Sequence, residues 1–504
     1  MGYEYDASHN LLVVTDWAGK RTEYSYYDAG ELKKATLPNS TWTEYGYDGA
    51  GRLTEVANRR NAAGVVQEIA TFGYTLDAVG NRTTMTDSAR PATSYEYDVL
   101  DRLKKTTWPD TSVNNYTYDS AGNRLTRKVG AATTSYTYDG TGWMTTAGGV
   151  AYGYDANGNQ TSRGSDGYSY DHEDRLVGAT IAGATTTHKY NGDGLRASST
   201  KGAATTGYVW DVAAGQAPVL LSDGANTYLW GAGLIHAASA TGARQYHHPD
   251  ALGSTRALTD ANGATITTRG YDSFGALRYQ TGTATSVFQY AGEQLDAGTG
   301  LYYLRARYYD PNTGRMVSRD PFPGFASGPQ TQNPYAYAVN NPVRYTDLSG
   351  LVSIPGICGC GSGGYTWTGA SSGATSKHGP AAGYRGWGVC GPAPPTPLGP
   401  AAPCPPQRPR ALRDLLETRS GASPRRRRLF CIAAGRRLLA SAGAAGGRAV
   451  GRRLLRSRWR IAPSPRLLSS PGRPGPPQAS VRSPGSRRRR APARGSHREG
   501  RRGT

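Results

Sequence analysis

The sequence predicts an all-β protein in which repeated β-hairpins form a curling antiparallel sheet or partial shell, followed by a disordered C-terminal tail. Three observations predict this: a Tyr-x-Tyr-Asp motif recurs, turn residues follow each copy, and the composition changes near residue 350. Residues 1–350 hold 32 of the 34 tyrosines and carry 29 basic and 34 acidic side chains, whereas residues 351–504 carry 29 basic and 3 acidic ones. The net charge of +21 therefore arises in the tail and does not indicate a scaffold that binds nucleic acid.

The Tyr-x-Tyr-Asp motif is the unit of an internal repeat. Two tyrosines at positions i and i+2 lie on the same face of a strand, where aromatic side chains suit a half-buried surface. The aspartate can bond the backbone two residues on, and the glycine that often follows takes a positive φ without steric cost. Each unit predicts strand, turn, strand, and the absence of linkers favours one continuous sheet over a row of independent modules. Clear copies begin at Tyr3, Tyr45, Tyr95, Tyr116, Tyr136, Tyr152 and Tyr168.

The pattern divides the chain into three regions: repeats at 1–245, a segment denser in turn signals at 246–351, and a low-complexity tail rich in Arg, Pro, Gly and Ala at 352–504. The middle segment contains four linked strings. They are Gly-Leu-Tyr-Tyr-Leu-Arg-Ala-Arg-Tyr-Tyr-Asp-Pro from Gly300, Gly-Arg-Met-Val-Ser-Arg-Asp-Pro from Gly314, Asn-Asn-Pro from Asn340 and Asp-Leu-Ser-Gly-Leu from Asp347.

These residues resemble the Rhs family: residues 1–195 are similar to YD repeats, and residues 246–351 closely resemble the Rhs repeat-associated core. The resemblance implies a hollow shell of hairpins like that of Tc-toxin C and teneurin proteins, in which the core plugs one end and precedes a variable polypeptide. It implies a scaffold that encloses and delivers a C-terminal polymorphic toxin in bacterial competition or host attack, here with a truncated or degenerate effector. It also implies a secreted or cell-surface protein, with secretion machinery or an immunity protein as partners.

In many members of this family the core cuts the chain after its closing motif by an aspartyl-protease-like reaction, which is the one enzymatic activity expected here. The chemistry needs one carboxylate as base and a protonated partner. By position in the motif Asp320 is the first candidate, Arg319 is a residue that could orient it, and Asp347 and Asp310 are candidates for the second carboxyl. The expected scissile bond follows Leu351.

The alternative is a purely structural core. The Asp-Pro pairs at Asp310 and Asp320 are ordinary turn formers, and Asp347 can begin a turn that Gly350 completes. Leu348 also stands where the family usually has proline.

We predict no cofactor and no metal site. His247 and His248 are adjacent, so on a strand they point to opposite faces, and packing or a turn is favoured over metal binding. The sequence contains no signal peptide and no transmembrane run, and it begins inside a repeat unit.

The tail leaves three interpretations open: an Arg-rich disordered segment that binds nucleic acid or anionic membrane through charge, a degraded effector, or a frameshifted reading of GC-rich DNA. Frameshift is favoured, and no specific nucleic acid is expected as a partner. A different class of function is a cell-surface adhesion protein, since arrays of exposed aromatic side chains can stack on carbohydrate.

Overall fold

The computed structural model describes residues 1–213 and 217–356, and within them the regular elements are all β-strands apart from three short 3-10 turns. This confirms the predicted fold class. The predicted disorder of the tail falls on residues 357–504, outside the described residues. No helix in the described ranges has the length and apolar character needed to cross a membrane.

The strands are numbered β1 to β35 in chain order. They are β1 Gly2–Tyr5, β2 Leu11–Thr15, β3 Arg21–Tyr26, β4 Leu32–Thr36, β5 Thr41–Tyr47, β6 Leu53–Ala62, β7 Val65–Leu76, β8 Arg82–Asp87, β9 Arg90–Tyr97, β10 Leu103–Thr107, β11 Val113–Tyr118, β12 Arg124–Val129, β13 Ala132–Tyr138, β14 Met144–Ala147, β15 Val150–Tyr154, β16 Gln160–Arg163, β17 Asp166–Tyr170, β18 Leu176–Ile181, β19 Ala184–Tyr190, β20 Arg196–Lys201, β21 Ala204–Gly207, β22 Val209–Asp211, β23 Val219–Ser222, β24 Asn226–Trp230, β25 Leu234–Ser239, β26 Arg244–Pro249, β27 Thr255–Thr259, β28 Thr265–Tyr271, β29 Leu277–Gly282, β30 Gln294–Asp296, β31 Leu301–Leu304, β32 Arg307–Asp310, β33 Arg315–Met316, β34 Tyr345–Thr346 and β35 Ile354–Pro355. Three short 3-10 turns lie at Tyr290–Gly292, Pro329–Gln332 and Tyr337–Asn340.

Strands β1 to β21 form one antiparallel sheet in which each strand pairs with the next along the chain. This confirms the expected continuous sheet. Strands β22 to β29 form a second antiparallel sheet of eight, β30 to β33 a third of four, and β34 pairs with β35. The domain boundary expected at residue 246 stays a prediction; in the structure this position lies inside β26, because hairpin pairing continues across the change in sequence pattern.

Each Tyr-x-Tyr-Asp copy builds the sheet in the same way. In the copy at Tyr116 the first tyrosine is 1% exposed, while Thr117 between the two tyrosines faces solvent. The second tyrosine, Tyr118, donates its hydroxyl hydrogen to the Leu103 carbonyl at 2.8 Å, in the preceding hairpin. The tyrosine pair therefore lies on one face, and its second member ties successive hairpins together. Tyr26, Tyr47, Tyr97, Tyr138 and Tyr190 make the corresponding bond.

The aspartate of the motif closes the predicted turn. Asp119 accepts the Asn123 N–H on its carboxylate at 2.8 Å, and its backbone carbonyl accepts the N–H of Gly122, whose φ is 82°. Because the bonds stay within four residues, the turn is set by local sequence. The same carboxylate-to-backbone bond at i+4 occurs at Asp6, Asp16, Asp48, Asp77, Asp98, Asp139, Asp155, Asp171, Asp250, Asp260 and Asp272.

The buried face of the 21-stranded sheet packs against the later strands. Tyr168 and Leu176 share a hydrophobic cluster with Leu301, Tyr303 and Tyr308 of β31 and β32. A second such cluster joins Tyr116 to Phe274, with ring centroids 5.1 Å apart. The contacts of the first cluster hold the short β31–β32 hairpin against the 21-stranded sheet, and that hairpin carries the candidate site.

Candidate active site

The turn between β31 and β32 donates hydrogen bonds to the backbone just before the expected scissile bond. Arg305 in this turn takes a left-handed conformation with φ of 62°. Three successive residues of the turn donate to three successive carbonyls of the segment Leu348–Gly350. The bonds run from Arg305 Nη1 to the Leu348 carbonyl at 2.8 Å, from the Ala306 N–H to the Ser349 carbonyl at 3.2 Å, and from Arg307 Nε to the Gly350 carbonyl.

Gly350 allows this close approach. Its φ is 73°, and a Cβ built on it would lie 2.5 Å from the Leu304 carbonyl oxygen and 2.9 Å from the Arg307 nitrogen. Both neighbours are backbone atoms and cannot move aside cheaply. The glycine of the closing motif is therefore required by its conformation and by its contact with the turn.

Arg307 joins two carboxyl groups. Its Nη2 lies 2.7 Å from Asp320 Oδ2 and 3.5 Å from Asp347 Oδ2, and its Nη1 donates to the Pro334 carbonyl at 3.0 Å. Burial raises the pKa of Asp320 to about 6, against the opposing effect of Arg307, and the nearby Asp347 raises it further. Burial also raises the pKa of Asp347, which is 3% exposed. Two acidic groups whose pKa values are raised thus share one cation.

Asp347 also faces the expected scissile bond. Its Oδ1 accepts the backbone N–H of Leu351 at 3.0 Å and that of Val352 at 3.2 Å. The nitrogen of Val352 is the leaving group if the chain is cut after Leu351. A carboxyl that can carry a proton therefore lies within hydrogen-bond distance of the atom that must receive one.

The structure separates the predicted site residues into two groups. It brings Asp320 and Asp347 together at Arg307. Arg319 is exposed, with its Cβ next to Gly158. Asp310 is buried in the turn after β32, where it accepts the Asn312 N–H and contacts Arg163 Nη1 at 3.4 Å. The roles of all four residues in cleavage stay predictions.

Sequence reasoning missed the two arginines, Arg305 and Arg307, that organise this site. Their signal is present in the Arg-Ala-Arg string, where charged residues interrupt a run of buried tyrosines and must find partners because unpaired buried charge is costly. Glu293, the carboxylate partner of Arg305, was missed as well. Leu348, which replaces the usual proline, contributes its backbone carbonyl to the site, and either residue has that group.

The two adjacent histidines lie buried in β26. His247 Nδ1 is 3.1 Å from the Thr255 hydroxyl, and His248 Nε2 is 2.9 Å from the Thr259 hydroxyl. Burial lowers the pKa of each imidazole to about 3, so both are neutral at physiological pH. Within residues 1–213 and 217–356 there is no group of three or more His, Cys, Asp or Glu side chains that could hold a metal ion.

Residues 76–343 match the teneurin YD-shell family, and residues 26–64 match the RHS repeat. The chain belongs to the teneurin YD-shell family. This confirms the resemblance drawn from the Tyr-x-Tyr-Asp repeats and the closing motifs. The YD-shell match runs from the last residue of β7 to the loop before β34, so it covers β8 to β21 of the first large sheet, the whole second sheet and the turn that carries Arg307.

The relatives of this chain include a nuclease and a deaminase toxin. The tRNA3(Ser)-specific nuclease WapA of Bacillus spizizenii is 32% identical over 363 residues, which cover 67% of this chain and 13% of WapA. The double-stranded DNA deaminase toxin A of Burkholderia cenocepacia is 26% identical over 361 residues, which cover 69% of this chain and 22% of that protein. The chain thus spans a minor part of the length of the relatives it matches.

Solved structures show the same fold. The crystal structure of TcdB2-TccC3 superposes with a TM-score of 0.58 at 21% identity, covering 69% of this chain and 21% of that one. At this identity the likeness establishes the YD-shell fold and carries no statement about the residues of the site.

Proposed function

We propose that this YD-shell chain is the scaffold that encloses and delivers a C-terminal polypeptide, and that its core detaches that polypeptide by cutting after Leu351. The observation that carries the proposal is that Asp320 and Asp347 both contact the guanidinium of Arg307. Beside them, three consecutive backbone carbonyls of the segment Leu348–Gly350 accept hydrogen bonds from the β31–β32 turn. A nuclease and a deaminase toxin among its relatives support the role as a carrier of a toxic polypeptide.

The positions of the two carboxyls assign them different roles. Asp320 lies closer to Arg307 and is ionised near neutral pH, so it acts as the base toward water. Asp347 lies farther from that cation and deeper in the protein, where burial raises the pKa of its carboxyl, and we assign it the role of the acid.

The reaction is a hydrolysis in which one proton enters the pair and one leaves it. Water attacks the carbonyl carbon of Leu351 and gives a proton to Asp320. The bond from that carbon to the Val352 nitrogen then breaks, and the nitrogen takes the proton of Asp347. The products are a carboxyl group on Leu351 and an amine on Val352.

The segment after the cut keeps contacts of its own with the core. Ile354 pairs with Thr346 in the β34–β35 ladder, and the Gly356 N–H donates to the Arg344 carbonyl at 2.9 Å. Cutting the chain therefore leaves the new N-terminal strand paired until it is pulled away. A shell that holds its cargo without a covalent link needs contacts of this kind.

The test is the fate of the purified 504-residue chain at pH 7.5. We expect two fragments, the smaller of which begins at Val352 by N-terminal sequencing. Asp320→Asn and Asp347→Asn should each leave the chain intact, with circular dichroism showing that the β-fold is retained. Asp310→Asn is the matched control, because Asp310 is also buried and pairs with Arg163, and this variant should be cut. A wild-type chain that stays whole would refute the proposal.

A further inference from the structure

A second buried ion pair lies next to the site and is not used by the hydrolysis described above. Glu293 is 3% exposed and follows the 3-10 turn at Tyr290–Gly292. Its carboxylate contacts the guanidinium of Arg305, whose side chain is 11% exposed. Buried charges are costly, and a pair that yields only packing is often replaceable by apolar side chains without loss.

Arg305 distributes its donors over two separate parts of the chain. Its Nε donates to the Pro218 carbonyl at 3.0 Å, and its Nη1 donates to the Leu348 carbonyl at 2.8 Å. Leu348 directly follows Asp347, the carboxyl that faces the scissile bond. The planar guanidinium has fixed donor directions, so its orientation determines where the Leu348 carbonyl lies.

The carboxylate of Glu293 determines that orientation. The charged and titratable groups that face it are Arg305, Asp347 and the Tyr337 hydroxyl. Arg305 attracts it, whereas Asp347 repels it when both carboxyls are ionised. A negative charge on Glu293 therefore has two effects on the site: it fixes Arg305, and it disfavours loss of the proton from Asp347.

We propose that Glu293 is a positioning residue for self-cleavage, which acts through Arg305 to place the Leu348 carbonyl and hence the Asp347 carboxyl at the Leu351–Val352 bond. The inference rests on the proposed function and adds a residue that touches neither the scissile bond nor the attacking water. It assigns the Glu293–Arg305 pair to the reaction and not only to stability.

Glu293→Gln is the variant of choice, because it keeps the size of the side chain and an oxygen that accepts from Arg305 but removes the charge. We expect cleavage to slow by about tenfold or more, since a misplacement of about 1 Å can cost about a hundredfold in rate. We also expect the alkaline limb of the pH–rate profile to move to lower pH, because Asp347 loses its proton more easily without a negative neighbour. A purely structural role would leave that profile unchanged.

Asp296→Asn is the matched control. Asp296 lies in β30, three residues after Glu293, and pairs with the buried Arg196 at 2.9 Å, but no contact joins it to the segment Leu348–Val352 in the described structure. This variant should lower the melting temperature while the folded protein cleaves at the wild-type rate with the wild-type pH profile.

Arg305→Lys provides a second test if Glu293→Gln folds poorly. Lysine keeps a positive charge for Glu293 but lacks the fork that reaches Pro218 and Leu348 together. It should slow cleavage while the fold is retained. A Glu293→Gln chain that cuts at the wild-type rate with the wild-type pH profile would overturn the inference and leave the proposed function intact. A wild-type chain that never cuts would instead refute the proposed function itself, and this inference with it.

Discussion

If Asp320 is the base, its ionisation gives the proposed self-cleavage a pH dependence of defined sign. Burial raises the pKa of this carboxyl to about 6, although Arg307 contacts it. The protonated form therefore dominates below that pH, and the ionised form, which the base role requires, dominates above it. For a single group with that pKa the ionised fraction is about a tenth at pH 5 and about nine-tenths at pH 7. The rate constant should thus rise by about tenfold or more between these two values, because Glu293, whose pKa burial raises to about 7, also gains charge in this range.

The assay starts from unfolded chain. The protein is purified in urea, which keeps the site unassembled, and diluted into buffers from pH 5 to pH 8 at constant ionic strength. Gel densitometry gives the uncut fraction over time, and circular dichroism shows when folding is complete. The rate constant is fitted only to the loss of uncut chain after that point, so that a slow folding step is not mistaken for slow cleavage.

Two results would refute this assignment of roles. A rate constant that falls between pH 5 and pH 7 would show that Asp320 must be protonated, which would make it the acid. A rate constant that is the same at pH 5 and pH 7 would show that Asp320 does not titrate in the step measured. Asp347→Asn supplies the baseline, because it removes the proton donor without altering the size of the side chain.

Three further predictions follow from single contacts. Gly350→Ala should abolish or strongly slow cleavage in the same gel assay, because a left-handed conformation costs about 1–2 kcal/mol for alanine and its Cβ would meet the Leu304 carbonyl. Tyr118→Phe should lower the free energy of unfolding by about 1 kcal/mol in urea titration, because the bond to Leu103 is lost, whereas Tyr5→Phe at an exposed position should not. Asp119→Ala should lower the thermal midpoint, since its carboxylate accepts two bonds that close the turn; an unchanged midpoint would contradict that role.

The repeat hairpins were predictable from sequence because their chemistry is local. Asp119 and Gly122 lie three residues apart, and their bonds close within one turn. Asp320 and Asp347 were named from their motifs, yet the sequence gives no way to know that they share a cation. That cation is Arg307, whose contact with the Gly350 carbonyl spans 43 residues. Contacts between residues so far apart in sequence depend on how the hairpins pack against each other. The period of the Tyr-x-Tyr-Asp repeat does not predict that packing.

The position of the β31–β32 turn depends on contacts between its strands and the two large sheets. Tyr303 accepts the Arg196 N–H of β20 at 2.9 Å, and Tyr309 donates to the Phe274 carbonyl after β28 at 2.5 Å. These hydroxyls anchor the two strands that carry Arg305 and Arg307. The hydrogen bonds from these residues to the carbonyls of Leu348–Gly350 therefore depend on both large sheets. Because the carboxyls would otherwise be hydrated and far apart, the proposed catalytic pair should form only after these contacts do. Folding should therefore precede the proposed cleavage.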